Sequence, residues 1–110
     1  MIAYRIQSRS RDIADLLDAE QQLSFPMDGD DDQVRHGVSG CETLADLAAY
    51  IACYAIQAGD PVLVEIEGPE SDDEPCDAAD GEVLILPTRA SIIEDDEAFF
   101  TLVSDLVDLH

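Results

Sequence analysis

Val62-Leu63-Val64-Glu65-Ile66-Glu67 puts Val62, Val64 and Ile66 on one side of an extended chain and Leu63, Glu65 and Glu67 on the other, the period of two that marks a strand. After an acidic insert, Val83 and Ile85 alternate in the same way with Glu82, Leu84 and Leu86, so the two runs are expected to pair. The insert between them, from Gly68 to Gly81, is long for a hairpin connection and holds Pro69 and Pro75, which predicts an exposed, mobile loop. Upstream, Ile2, Tyr4 and Ile6 alternate with Ala3, Arg5 and Gln7 as a further half-buried strand.

Helical spacing fills much of the remainder. Ser10 is placed to cap a helix ending near Leu23, with Ile13, Leu16 and Leu17 on one side and Asp12, Asp15 and Asp18 facing largely away. Residues 24–40 contain Pro26, Gly29, Gly37, Gly40 and the run Asp28-Gly29-Asp30-Asp31-Asp32, which predicts an exposed loop. Thr43 and Asp46 resemble a capping box, Leu44, Leu47, Ala48, Ile51, Ala55 and Ala58 keep helical spacing, and Gly59 stops the run. Ala49, Cys53 and Ile56 make the opposite face of that helix apolar, which predicts burial on both sides; the competing reading is a partner or homodimer face flanked by Tyr50 and Tyr54. A last helix is expected after Pro87, with Phe99, Leu102, Val103 and Leu106 as its core stripe and Asp105 and Asp108 outward. The expected order is β-α-α-β-β-α in a single domain, 1–110, of the α+β class: a small, mainly antiparallel sheet with helices on one face.

Apolar residues make up 46% of the chain, enough to build a core and to separate it from charged disordered sequences. The charge is the outlier, because 26 acids face 5 bases and leave a net −21. Residues 1 to 35 carry eight acids and four arginines, a balance of −4, whereas residues 36 to 110 carry eighteen acids against Arg89, a balance of −17. A field of this sign repels nucleic acid and anionic membrane and attracts basic surfaces, so direct nucleic-acid and membrane partners are not expected. Cys41, Cys53 and Cys76 form an odd set without paired spacing, which fits a reducing cytoplasm. The longest uncharged run, Leu47 to Gly59, is too short to span a bilayer.

Catalytic and metal chemistry finds little footing. Asp28, Asp30 and Asp32 open like a calcium loop, but Gln33 stands where the turn needs glycine and Ser39 where a bidentate glutamate should close the shell. His36, Cys41 and Cys53 lack the close ligand pairs of zinc sites. A cysteine nucleophile needs electropositive surroundings, and the overall field opposes thiolate formation. No acid among the 26 is singled out for glycoside hydrolysis, and phosphate-loop, dinucleotide and nucleophile-elbow motifs are absent from the sequence. The expectation is a nonenzymatic protein without metal or cofactor.

The acids cluster at Asp28 to Asp32, at Glu70 to Glu82 and at Glu94-Asp95-Asp96-Glu97. The middle cluster is densest: Glu70, Asp72, Asp73, Glu74, Asp77, Asp80 and Glu82 stand beside Glu65 and Glu67 of the preceding strand. Residues two apart on a strand repeat every ~6.6 Å on one face, comparable to the phosphate spacing of a nucleic-acid backbone. Expected partner-binding residues are therefore Glu65, Glu67, Glu70, Asp72, Asp73, Glu74 and Asp77, with Asp30, Asp31 and Asp32 of the first cluster. Small size, extreme acidity and these clusters resemble the phage-encoded DNA-mimic inhibitors, including anti-CRISPR proteins that block the DNA-binding surfaces of crRNA-guided complexes. That resemblance implies a cytoplasmic inhibitor, acting in the host cytoplasm if phage-encoded, whose partner is a basic nucleic-acid-binding protein or complex. The same charge also fits an acidic immunity protein or adaptor directed at a basic toxin or nuclease, or a surface adapted to high salt. Oligomeric state is left open by the sequence.

Overall fold

The computed structural model describes residues 1–24, 35–54, 60–75 and 78–108. The strands are β1 (Ile2–Ser8), β2 (Leu23–Ser24), β3 (Arg35–His36), β4 (Val38–Cys41), β5 (Pro61–Glu67), β6 (Glu82–Ile85) and β7 (Arg89–Ile93), and the helices are α1 (Leu44–Tyr54) and α2 (Glu97–Asp108). Five strands form an antiparallel sheet in the order β6-β4-β1-β5-β7, and β2 and β3 make a small separate ribbon. The chain is an α+β protein, with both helices packed on one face of the sheet.

Register assigns the two faces. Pairing Ile6 with Leu63 and Leu63 with Ile93 puts these residues on the helical side, where they join Cys41 and Tyr4 and meet Leu47, Ala48 and Ile51 of α1 and Phe99 of α2. Ala3, Val62, Val64 and Ile66 face the other way, into a second core with Val38 and Ile85 that is closed by Leu16. β1, β4 and β5 therefore bury side chains on both faces, and the alternation of β5 marks two cores rather than a core and a solvent side.

Several sequence expectations are corrected. The helix expected from Ser10 to Leu23 is two short 3-10 turns, Ile13–Leu17 and Ala19–Gln21. Asp12 and Asp18 each cap the backbone two residues on, at 2.9 Å to Ala14 N and 3.0 Å to Glu20 N, so the second cap restarts the chain before an α-helix can propagate. The loop expected over 24–40 contains β3 and β4. Gly40, read as a turn signal, is instead where β4 passes so close to β1 that a Cβ would lie 2.8 Å from the Tyr4 carbonyl oxygen. Residues 25–34, with Asp28 to Asp32, lie outside the described residues.

α1 is buried on one side only. Leu47, Ala48, Tyr50, Ile51 and Ala52 are covered, whereas Leu44, Ala49 and Cys53 are exposed; Ala55, Ile56 and Ala58 lie outside the described residues. A two-layer fold gives each helix one sheet-facing side, and α2 covers only part of the remainder. The last helix does not follow Pro87 directly, because β7 intervenes, and in α2 it is Phe100 with Phe99, Val103 and Leu106 that faces the core while Leu102 is exposed.

The expected pairing of 62–67 with 82–86 takes a different form. β5 lies between β1 and β7, and β6 pairs with β4. The chain beyond β5 nevertheless continues the ladder: Ser71 N–H donates to Leu84 O and Leu86 N–H to Pro69 O, both at 2.9 Å, around a Glu70–Ile85 bridge. Between Glu67 and Glu70 this arm advances three positions while its partner advances four, from Ile85 to Arg89, so one extra residue bulges out where the strand bends. β6 and β7 are the two halves of one bent strand. At the bend Gly68 is buried against Leu86, and a Cβ there would run into the Leu86 carbonyl.

Candidate functional site

The tip of this long hairpin carries the densest acidic segment, and part of it is fixed. Ser71 Oγ donates to the His36 carbonyl at 2.6 Å and accepts from Asp73 N at 3.1 Å. Asp73 Oδ2 accepts from the His36 backbone N–H at 2.7 Å and lies 3.2 Å from the ring Nδ1. These bonds, the His36 backbone N–H first, hold the Asp73 carboxyl below its ordinary value, with a smaller attraction to Arg35. The mobile loop expected over 68–81 is therefore anchored through residues 69–73, to β6 on one side and β3 on the other. β3 is also the strand the chain enters directly after Asp30-Asp31-Asp32-Gln33-Val34.

The expected contact residues differ in their surroundings. Glu70, Asp72 and Glu74 are exposed and have no bonded partner among the described residues. Asp73 is half-buried and bonded to His36. Glu65 and Glu67 stand on β5, opposite Tyr4 and Ile2, on the part of the helical face that the helices leave uncovered, and Glu67 Oε2 is 3.3 Å from Arg89 Nη2. Asp77 and Asp30 to Asp32 lie outside the described residues. The structure thus joins Glu70 to Glu74 in one anchored tip and sets Glu65 and Glu67 further back along the same hairpin arm.

Glu82, counted with the acidic cluster in the sequence, leaves it in the fold. Its register opposite Cys41 turns it inward, where it accepts from Ser39 Oγ at 2.5 Å and Tyr50 OH at 3.4 Å. Burial, with the Asp46 and Glu82 carboxylates nearby, pushes the Cys41 thiol up to about 12, which holds it protonated at neutral pH. Other acids have local structural roles: Asp12 and Asp18 cap the 3-10 turns, Asp60 pairs with Arg9 at 3.3 Å, and Glu97 with its neighbours sits at the positive end of the α2 dipole.

Arg35 attracts Asp73 at the tip, and three other arginines are engaged elsewhere. Arg5 is partly buried in the second core, with Nη1 donating to Ser39 O at 3.2 Å, and burial lowers it only to about 10, so it remains charged. Arg9 and Arg89 are held by Asp60 and Glu67. Among the described residues, no group of three or more histidine, cysteine, aspartate or glutamate side chains is placed to hold a metal ion, and no helix is long and apolar enough to cross a membrane.

Compared with protein-family models, curated proteins and solved structures, the chain matches none. The residues missed at the sequence level are His36 and Ser71, which fix the tip. No spacing rule could have found them, since their partners lie 35 to 37 positions away in the chain.

Proposed function

We propose that this protein is a nonenzymatic inhibitor that mimics nucleic acid and occupies the basic nucleic-acid-binding surface of another protein or complex, a crRNA-guided effector being one such target. The supporting observation is the anchored tip: Glu70, Asp72 and Glu74 project from a segment tied to β6 and His36, so their carboxylates are presented without first having to be ordered. Overall charge density fits the same reading. The longest dimension is 35 Å and the net charge −21, while about 20 phosphate charges lie along 34 Å of duplex at one per ~1.7 Å.

The test is affinity capture at low salt from the cells in which the protein acts, followed by elution with duplex DNA. A captured protein that itself binds DNA, is displaced by DNA, and is no longer retained by the triple variant Glu70→Gln, Asp72→Asn, Glu74→Gln is the expected result. Capture that DNA does not displace rejects mimicry, and a nuclease toxin held in that way would put the immunity-protein reading in its place. Equal capture by the triple variant rejects the tip as the contact.

A further inference from the structure

The sheet ends differently on its two sides. At β6 the edge is covered by Pro69–Ser71 through the bonds to Leu84 and Leu86. At β7 the ladder goes no further among the described residues. β7 pairs with β5 alone, and among the described residues no backbone group of 89–93 has a hydrogen bond outside that ladder. The turn Ile13–Leu17 lies alongside β7, with Ile13 and Leu16 entering the core that holds Ala90, and among the described residues it donates no hydrogen bond to the strand. Arg89, Ser91 and Ile92 are exposed, Ile92 to 40%.

Open edges are normally guarded by a charge, a proline or a bulge within the strand. Charged residues occupy 28% of this chain, yet Ala90-Ser91-Ile92-Ile93 contains none. The charges stand instead around the edge, and they are mostly acidic, Arg11 beside Asp12 being the exception. Asp12 and Asp15 belong to the neighbouring turn, Glu65 to β5, and Glu94, Asp95 and Glu97 follow the C-terminal end of β7. The sole base on the strand, Arg89, is taken up by Glu67. A second copy of this chain would bring the same carboxylates against themselves. An extended segment that alternates arginine or lysine with β-branched residues would pair its backbone with β7 and its charges with the surrounding acids.

We propose that the free edge of β7 receives an arginine- or lysine-rich extended segment of a partner protein as an added strand. This goes beyond nucleic-acid mimicry and does not rest on it, because strand addition requires backbone pairing whereas mimicry requires charge alone.

The probe is a fluorescein-labelled octapeptide of alternating arginine and valine, compared with the same peptide N-methylated at every second residue, which keeps the charge and removes alternate N–H donors. Binding is read by fluorescence anisotropy to the wild type, to Ile92→Lys and to Leu102→Lys, the last adding the same charge on exposed α2. Expected is a loss of about tenfold on methylation and in Ile92→Lys beyond that in Leu102→Lys, the scale of one or two backbone hydrogen bonds. No binding, equal binding of the methylated peptide or equal losses in the two variants overturns the proposal. So does a wild-type dimer in sedimentation whose 90–93 amides are protected from exchange without peptide, since a second copy would then hold the edge. Binding by the tip triple variant separates failure here from failure of the mimicry reading.

Discussion

The Asp73 carboxylate takes the backbone N–H of His36 at 2.7 Å and stands 3.2 Å from the same residue's ring Nδ1, so one side chain ties the acidic tip to β3 by two bonds of different kinds. The backbone bond is the stronger influence on Asp73, and no substitution at His36 other than proline removes it. Carboxyl NMR titration should therefore find Asp73 still below its ordinary value in His36→Ala. An ordinary titration in that variant would show that the ring, not the main chain, holds the tip.

The same bond sets a pH dependence. A carboxyl whose folded-state value is depressed adds stability above its unfolded value of about 3.9, and that stability is lost as pH falls through the lower folded value. Thermal unfolding of Asp73→Asn should lack this component of acid destabilisation. Identical acid limbs in wild type and Asp73→Asn between about pH 2 and pH 5 would contradict it.

Gly68→Ala should be among the most damaging single-methyl changes in the chain. The new Cβ is driven into the Leu86 carbonyl, a backbone atom that cannot rotate away, and the expected loss in denaturant unfolding is about 3 kcal/mol or more. A change below about 0.5 kcal/mol would contradict the close approach of Gly68 to the Leu86 carbonyl.

Glu82 and Asp72 sit ten residues apart in one acidic stretch and should behave oppositely. Glu82→Ala strands the Ser39 hydroxyl in a covered site and should cost about 1–3 kcal/mol, whereas exposed Asp72→Asn should change stability by no more than about 0.5 kcal/mol. Equal effects in chemical denaturation would remove the distinction drawn between the inner and outer acids.

Native thiol labelling followed by mass spectrometry should modify Cys53, which is exposed, and leave Cys41 untouched until the protein unfolds. Cys41 is shielded twice, by the sheet and helices around it and by a thiol held protonated at neutral pH. Labelling of Cys41 at the rate of Cys53 would contradict the packing of β4 beneath α1.

The α+β class and the positions of β1, α1, β5 and α2 were legible because their apolar residues recur at strand or helix periods. β4 was not. Gly37 and Gly40 read as loop residues, and only the approach of β1, from far away in the chain, explains why a glycine at 40 belongs in the middle of a sheet. The first predicted helix failed for a local reason, since Asp12 and Asp18 look like solvent-facing helix residues until their side chains are seen to cap the backbone. At the candidate site, composition located the acidic tip but could not sort it. Glu82 turned inward because of its register with Cys41, and His36 became the anchor through a contact that neither segment announces by itself.

The strand order has a consequence for biosynthesis. β1 leaves the ribosome first, yet its partners are β4 and β5, and its ladder with β5 matches Ile2 to Glu67. That ladder cannot form until the chain has been synthesised through β5, so β1 stays without this partner while β2, β3, β4 and α1 are being made. At the start of that interval Arg5, Arg9 and Arg11 emerge ahead of every acid of the sequence, the first being Asp12, so the leading segment has a charge character unlike that of the finished molecule.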